Sequence, residues 1–403
     1  MAGSHSSHTQ NSLHVGKYVP SKNAQTMAFS FIAIGALTFI LGFIKDPQRM
    51  WQAYLTSYFF FACLAIGGLF FAAVNHVVRS GWSVSVRRMV ESFTAFIPFV
   101  LLGAMVLLFG IKHLYPWADA QRVAEDAILQ SKAAYLNVPF TALRWFIFAG
   151  AMFWFAKAIV GNSLEQDKTG NEELTNKNLG LSVKFLVVFA LGFTLFSMDL
   201  FMTLSPYWYS TIFGIYTFAG MFQSTMAALI LIMMFVRKHG LIKGYITDEH
   251  QHDVAKFLKG FTVFWAYIAF SQFMLIWYAN IPEETEFYIL RAHGGWIYVS
   301  FGLLIFRFIV PFLSLLPKAA KRSTTHLAVI CILILAMQYL DIYWLVYPNF
   351  NDNHVVFSLW EVGMFLGFGG LFLLSVQKFL SSNSLVPLKD PRLHECVNHT
   401  VTY

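Results

Sequence analysis

Charged residues are scarce in this sequence. Of its 403 residues, 12% are charged and 57% are hydrophobic, whereas a soluble domain carries about 25% charged residues. A chain of this composition cannot cover a folded surface with polar side chains, so a water-soluble fold is excluded and lipid is the expected solvent. The formal net charge of +7 indicates basic loops on one side of a membrane and no nucleic-acid partner.

Cysteine is also scarce, and its spacing excludes several redox cofactors. Cys63, Cys331 and Cys396 stand far apart, so the sequence has no CxxC, CxxCH or ferredoxin pattern. Histidines associated with apolar runs lie near the ends of those runs, and no run carries the inward-facing pair that haem b requires. We therefore expect the chain alone to bind no haem, no iron–sulfur cluster and no metal.

Ten apolar runs are long enough to cross a bilayer, which takes about 20 residues in a helix. The sequence therefore predicts an all-α integral membrane protein. A polar N-terminal tail at 1–26 lacks the design of a cleaved signal peptide, the membrane domain covers 27–380, and a C-terminal tail covers 381–403. The predicted spans are 27–44, 54–78, 90–111, 139–161, 181–204, 209–236, 258–281, 294–316, 326–347 and 355–379.

Lys and Arg are distributed unevenly between the two sides of these spans. Of the 28 Lys and Arg residues, 20 fall on the side of both termini, six fall on the opposite side, and Arg144 and Arg307 fall inside spans. Basic loops are retained in the cytoplasm. We therefore expect both termini to be cytoplasmic.

Two short echoes, four spans apart, indicate an internal repeat. The string FTAF at 93–96 in span 3 corresponds to FTVF at 261–264 in span 7. Asp199 in span 5 and Asp341 in span 9 each precede a proline by seven residues. The echoes predict two four-helix bundles, spans 2–5 and spans 6–9, flanked by spans 1 and 10. Chance similarity is the alternative for strings this short.

Ionisable residues inside spans are costly in lipid and mark either structural ion pairs or a functional path. Asp199, Asp341, Glu361 and Arg144 each fall roughly 8–12 Å below the surface opposite the termini. Because one arginine cannot neutralise three carboxylates, we expect at least one carboxylate to exchange protons. The residues of the predicted proton path are Asp199, Asp341, Glu361, Arg144, Arg307, Glu91 and His76.

The inner part of this path has a gap. Arg307 falls past the middle of span 8, about two helical turns from the outer cluster, and Glu91 and His76 lie toward the side of the termini. The alternative for all of these residues is structural, because buried charges pair and polar side chains hydrogen-bond between neighbouring helices. The candidate relay residues across the gap are Tyr267, Ser271 and Gln272.

Three strings carry a resemblance to a known family. The chain resembles the ActF subunit of bacterial alternative complex III, an NrfD-like membrane protein, in DLFMTLSPYWYSTIFGIYTFAG at 199–220, FTVFWAYIAFSQFMLIWYANIPEETEFY at 261–288 and DIYWLVYP at 341–348. The resemblance covers most of the chain from span 2 onward, and the string in span 7 is highly specific. Neither tail contributes to it.

The resemblance implies a place in the respiratory electron transport chain, because alternative complex III is a quinol:electron-acceptor oxidoreductase. The implied partners are multihaem cytochrome c and iron–sulfur subunits, which hold the haem c and the clusters, an ActC-type NrfD-like membrane subunit, and lipids. The implied location is a multi-pass position in the bacterial inner (plasma) membrane. By this resemblance the chain is an accessory scaffold and proton-translocating path, and a second quinone-binding subunit beside the main quinol site in the ActC-type subunit.

Two other functions stay open at this point. A secondary transporter would bind a substrate near the bilayer midplane between Gly- or Pro-broken helices, whereas the prolines here fall mostly at helix ends. A purely structural membrane anchor would use its buried charges only as ion pairs. Co-purification with haem proteins would separate a redox subunit from a transporter.

Overall fold

The structure, a computed structural model, describes residues 13–351 and 353–400. Within these residues, ten helices are long and apolar enough to cross a membrane, which confirms the predicted fold class. We call the side at which span 1 begins and span 10 ends the terminal face. Spans 1–10 are Lys22–Lys45, Pro47–Val77, Val84–Leu114, Val138–Thr169, Glu173–Leu204, Phe213–Lys238, Asp248–Ala279, Trp296–Ser314, Thr324–Asn349 and Leu359–Ser382.

Capping residues set where several spans begin. Before span 2, the Asp46 side chain accepts a hydrogen bond from the backbone N–H of Arg49 at 3.2 Å, and Pro47 takes the first helical position. Before span 4, Asn137 accepts from the N–H of Phe140 at 2.9 Å. Such caps satisfy N–H groups that the helix leaves unpaired. Spans 1 and 2 begin earlier than predicted because the prediction followed only the apolar runs.

The ten spans form two four-helix bundles with a helix pair at one side, as the sequence echoes predict. Spans 2, 3, 4 and 5 pack in a closed ring, and spans 6, 7, 8 and 9 pack in another. Spans 2 and 6 also pack against each other, and both are buried along most of their length. Spans 1 and 10 pack together, and span 10 lies against spans 2 and 3.

Close contact between spans 1 and 10 depends on glycine. A Cβ atom placed on Gly35 would lie 2.3 Å from the Cα of Gly367, and one placed on Gly367 would lie 2.8 Å from the Cα of Gly35. Each added Cβ atom would collide with backbone atoms of the facing helix, and these cannot move unless the helix itself shifts. Small residues allow helices to approach closely where lipid supplies no hydrophobic driving force. Most of the remaining surface of span 1 is exposed.

Span 8 is irregular at its centre. Its α-helical ends, Trp296–Gly302 and Val310–Ser314, enclose the π-helical segment Leu303–Ile309, which contains Arg307. A π-helical segment shifts the faces of the helix on either side of it, and such segments often occur at functional sites. Spans 3, 5 and 9 contain 3₁₀ turns, namely Thr94–Phe96, Leu108–Gly110, Met202–Leu204 and Tyr347–Asn349.

Short elements cover the two ends of the bundles. At the terminal face, strands His14–Val15 and Ile242–Lys243 pair antiparallel. The segment after span 10 also packs there, with Leu385, Val386 and Cys396 buried. The remaining short helices and turns are Pro116–Ala118, Ala120–Glu125, Ala127–Lys132, Pro282–Ala292, Lys318–Arg322 and Leu393–Val397.

Candidate functional site

Arg307 and Asp341 form a buried ion pair in the second bundle. Nη1 of Arg307 lies 2.9 Å from Oδ2 of Asp341, and the two side chains are 0% and 4% exposed. Tyr216 donates a hydrogen bond to Oδ1 of Asp341, and Arg307 donates one to Gln338. The guanidinium carbon of Arg307 lies 4.3 Å from the ring centroid of Trp265. Since these groups are shielded from water, their electrostatic contacts are stronger than at a surface.

The first bundle holds a corresponding pair, Arg144 and Asp199. Nε and Nη2 of Arg144 donate to the two carboxylate oxygens of Asp199 at 2.8 and 3.0 Å, which is bidentate geometry. The Tyr135 hydroxyl donates to Asp199 at 3.1 Å. Burial, assisted by the negative charge of Asp199, raises the pKa of Tyr135 to about 12, so this hydroxyl keeps its proton at neutral pH. Arg144 is 12% exposed, so this pair is less shielded than the other.

The two pairs occupy equivalent positions in the two bundles. In each bundle the arginine comes from the third helix, span 4 or span 8, and the aspartate comes from the fourth helix, span 5 or span 9. A 3₁₀ turn follows each aspartate and ends its span. The echo in the sequence therefore corresponds to a repeated structural feature, which supports the internal repeat.

The premise that Arg144 is the one arginine available to Asp199, Asp341 and Glu361 is wrong. Arg307 is also not isolated by a gap, because its long side chain and the π-helical backbone bring its guanidinium to Asp341. Each carboxylate has its own cation, so these three carboxylates carry no surplus negative charge. The three pairs are Arg144–Asp199, Arg307–Asp341 and Arg49–Glu361.

Glu361 lies in the first turn of span 10, where it caps the helix. It accepts hydrogen bonds from the N–H and the hydroxyl of Ser358 at 2.7 and 2.9 Å, which completes a capping box. Tyr347 donates at 2.8 Å, and Nε of Arg49 donates at 3.1 Å. Its predicted depth was too great because the apolar run begins before the helix, which starts at Leu359. The contacts of Glu361 stabilise the start of a helix.

Glu91 lies near the terminal face, at the end of the first bundle opposite the Arg144–Asp199 pair. Its oxygens are 2.8 Å from Nη1 of Arg88 and 3.4 Å from Nε of Arg87, and Ser163 donates to it at 2.9 Å. His76 is buried in the same region, close to Arg87. Glu91 therefore belongs to an ionic network with Arg87 and Arg88 that is distinct from the aspartate pairs, and His76 lies beside this network. The outer partners of the two arginines are Asp390 and Asp167.

The three predicted relay residues do not face the same way. Tyr267 is 63% exposed on the outer surface of span 7, so it does not contribute to an interior path. Ser271 is half-buried. Gln272 is buried, accepts a hydrogen bond from Ser210 at 3.2 Å and donates to the hydroxyl of Tyr288 at 3.2 Å. Of the three residues, Gln272 is the one that lies inside.

A cavity of about 610 Å³ lies between spans 7 and 8, in the half of the membrane domain away from the terminal face. Ala266 and Ala269 of span 7 leave room for it, and the exposed side chains of Phe270 and Phe301 flank its opening toward the surrounding membrane. Its walls are largely apolar. An apolar cavity with a few polar groups is the usual form of a small-molecule site.

The polar groups of this cavity lie at two places. Tyr216 and Trp265 line its inner wall, and both contact the Arg307–Asp341 pair, so a single layer of side chains separates the cavity from that pair. Gln272, Tyr288, Arg291 and Ser300 line its outer part. Burial raises the pKa of Tyr288 to about 12, so its hydroxyl is a donor at neutral pH.

Arg291, on the short helix Pro282–Ala292, places a guanidinium in the wall of the cavity. Its guanidinium donates to the backbone carbonyls of Phe287, Trp344 and Leu345 at 2.8, 3.1 and 3.1 Å. Burial lowers the pKa of Arg291 to about 9, which still leaves it cationic at neutral pH. Three of its five N–H donors meet these carbonyls, so donor capacity remains at the cavity.

Sequence reasoning missed several of these residues. Arg49 and Arg291 are two of the six basic residues on the side opposite the termini, and a basic count does not show that Arg291 is buried or that Arg49 is paired with Glu361. Tyr216 is one of many aromatic residues in the chain, so its residue type alone does not mark it as functional. Its place on the first helix of the second bundle, beside a span that carries an aspartate, was the available signal.

This arrangement can hold a flat apolar molecule with hydrogen-bonding groups at its edge, and it places a carboxylate close to that molecule. In the described part of the chain, no group of three or more His, Cys, Asp or Glu residues could hold a metal ion. Comparison of the sequence with protein-family models and with curated proteins finds no match.

Proposed function

We propose that this chain is a membrane subunit of a quinol-oxidising respiratory complex of the alternative complex III type, and that the cavity between spans 7 and 8 is a quinone site. The observation that carries the proposal is the cavity itself. It opens toward the membrane, where quinones dissolve, its walls are largely apolar, and its polar groups are grouped at its outer and inner ends.

The residues that line the cavity suit a quinone. Gln272, Tyr288 and Arg291 offer N–H and O–H donors to ring oxygens at the outer end, while Phe270 and Phe301 flank the opening through which a prenyl chain would extend. A bound quinone would accept or release electrons and protons in exchange with partner subunits. The side chains of this chain bind, orient and shield the ring.

The Arg307–Asp341 pair supplies an acidic group behind the inner wall of the cavity. Tyr216 lines the cavity and donates its hydrogen bond to Asp341, so a proton moved through its hydroxyl would pass between the cavity and that carboxylate. Arg307 stabilises the carboxylate when it is charged. We therefore centre the proton path on Asp341 and its contacts, with Asp199, Glu91 and His76 as candidate groups of separate segments.

A purely structural anchor is the second candidate, and the matching of carboxylates with arginines favours it. Arg144–Asp199, Arg307–Asp341 and Arg49–Glu361 are all formed, and pairs of this kind fix helix packing without conducting protons. This candidate predicts that the cavity contains only lipid.

Quinone content of the purified protein tests the proposal. Ala269 lines the cavity, so Ala269→Phe should fill it and reduce the quinone extracted per chain by about tenfold, a loss of about 1.4 kcal/mol or more of binding free energy. Val263→Phe, on the outer face of the same span, is the matched control and should retain wild-type quinone. Equal quinone in wild type and Ala269→Phe, or none in wild type purified in mild detergent, would refute the site.

A further inference from the structure

Arg291 differs from the other buried arginines of this protein. Four arginines are buried in the part of the chain that the structure describes. Arg87, Arg88 and Arg307 form salt bridges with carboxylates at 3.4, 2.8 and 2.9 Å. Arg291 is 2% exposed and forms no salt bridge with any described residue. Its positive charge therefore lies in the wall of the proposed quinone cavity without a carboxylate to neutralise it.

Neutral groups surround the Arg291 guanidinium. Its central carbon lies 3.6 Å from the ring centroid of Phe287 and 4.8 Å from that of Trp344, and three of its five N–H donors meet backbone carbonyls. Aromatic faces and carbonyl dipoles stabilise a cation, but they do not cancel its charge. These contacts hold the guanidinium in place and leave its net charge, with two unused N–H donors, at the cavity.

The carboxylates of this region have other partners or positions. Asp341, whose negative charge acts on Arg291, forms its salt bridge with Arg307 at 2.9 Å. The helix Pro282–Ala292 carries glutamates, but Arg291 lies in its last turn and pairs with none of them. These glutamates are Glu283, Glu284 and Glu286. Since a buried charge without an ionic partner is costly, an anion supplied by a ligand would lower the free energy of the site.

Tyr288 supplies a second donor on the same helix. It precedes Arg291 by three residues, so the two side chains share one face of the helix, and both line the cavity. The Tyr288 hydroxyl accepts a hydrogen bond from Gln272 at 3.2 Å, which leaves its own proton to donate. A guanidinium and a hydroxyl on one helix face suit an oxygen that carries negative charge.

Aromatic contacts fix the position of this helix. Phe287 stacks on Trp208 with ring centroids 4.1 Å apart, and its ring also meets the edge of Trp344 at 5.6 Å. The donors of Tyr288 and Arg291 are therefore held in place before a ligand binds. A preorganised site of this kind gains affinity because little ordering is needed on binding.

We infer that the cavity selects a quinone or quinol with an ionised ring oxygen, and that Arg291 is the residue that determines this selectivity. The inference rests on the quinone site proposed above and names the charge of its ligand. The ionised oxygen lies at Arg291 and Tyr288, while the apolar chain leaves between Phe270 and Phe301. The O–H bond of the ligand breaks in water before binding, so the electron pair stays on the oxygen, the proton stays in solution and no electron is transferred.

Two matched probes test the inference. One is a hydroxynaphthoquinone with a long alkyl chain, which is ionised at neutral pH, and the other is its uncharged O-methyl ether. Trp265 and Trp344 line the cavity, so the tryptophan quenching that Ala269→Phe abolishes reports binding to the full-length protein in nanodiscs. The wild type should bind the anion at least about tenfold more tightly than the ether, because charge-assisted hydrogen bonds are stronger than neutral ones.

Variants of Arg291 assign the selectivity to its charge. Arg291→Gln keeps a side chain that donates hydrogen bonds but removes the charge, so the preference for the anion should fall below about twofold. Arg291→Lys keeps the charge and should retain a preference for the anion. Arg122→Gln removes a charge from a side chain that is 67% exposed on the same side of the membrane domain. It is the matched control and should keep the wild-type preference.

The possible failures are distinguishable. Equal affinity of the wild type for both probes would overturn the selectivity and leave the quinone site standing, whereas binding of neither probe would refute the site itself. A full preference in Arg291→Gln would also overturn the inference. If Arg291→Gln binds neither probe, equal affinities in Arg291→Lys would overturn it. Displacement of the anion by an alkyl carboxylate as readily as by a second hydroxynaphthoquinone would overturn it too, because the cavity would then recognise charge without the ring.

Discussion

Removing one member of the Arg307–Asp341 pair should cost more stability than removing both. The side chains are 0% and 4% exposed, so a charge left alone has no water to solvate it. In Arg307→Met, Asp341 keeps Tyr216 as a donor. In Asp341→Leu, Arg307 keeps Gln338, the carbonyl of Met337 and the ring of Trp265. Removing one partner of a buried pair costs about 3–5 kcal/mol.

The double variant Arg307→Met/Asp341→Leu removes both charges and replaces them with apolar groups. A replacement of this kind is often neutral or stabilising, so the double variant should be more stable than either single variant. The coupling energy of the cycle should then be at least about 3 kcal/mol, larger than most measured couplings. The assay is denaturant unfolding in detergent micelles, followed by tryptophan fluorescence.

The Arg144–Asp199 pair gives the internal comparison. Arg144 is 12% exposed, so water can partly solvate a charge left alone there, and Arg144→Met and Asp199→Leu should couple by only about 1–2 kcal/mol. Two results would refute the reasoning that burial makes the Arg307–Asp341 pair obligatory. In the first, the losses of stability in the two single variants sum to the loss in the double variant within about 0.5 kcal/mol. In the second, the single variants are as stable as the wild type.

Three further predictions concern helix packing, pH and topology. Gly367→Val places a side chain against the backbone of Gly35 and should destabilise the protein by about 1–3 kcal/mol, while Gly180→Val, at an open position, should leave the unfolding midpoint unchanged. The folded pKa of Tyr135, about 12, lies above its unfolded value, so its stabilising contribution is complete below pH ~10 and lost as pH rises toward 12. Tyr135→Phe should therefore flatten the fall in unfolding midpoint across that range, and an unchanged slope would contradict it. A reporter fused after Tyr403 should be active only in the cytoplasm, and activity outside would reverse the orientation.

Much of the fold could be predicted because lipid imposes simple rules. A span must be long, apolar and helical, so ten runs predicted ten spans. The spacing of Asp199 and Asp341 to their prolines predicted the two bundles, because a 3₁₀ turn follows each aspartate and ends its span. Helix starts were less accurate, since a helix can begin before its apolar run, as in span 2, or inside it, as in span 10.

The site was harder to predict because side-chain reach and direction are not visible in a hydropathy pattern. Arg307 was placed by its backbone position, whereas its guanidinium lies at Asp341. The sequence groups Tyr267 with Gln272, but Tyr267 faces outward and Gln272 faces inward. The hydropathy pattern does not show this difference, because an apolar helix in lipid carries no contrast between its two faces. The cavity was missed because it results from small residues, Ala266 and Ala269, that the sequence does not mark as functional.

Purification of the chain from its native membrane tests the central proposal most directly. With an affinity tag and a mild detergent, the measurement is the visible absorption spectrum together with identification of the co-purifying polypeptides. The proposal predicts c-type haem bands and an iron–sulfur protein in a fixed ratio to this chain, although the chain expressed alone is colourless. A stable, colourless protein that comes from native membranes without partners would contradict it.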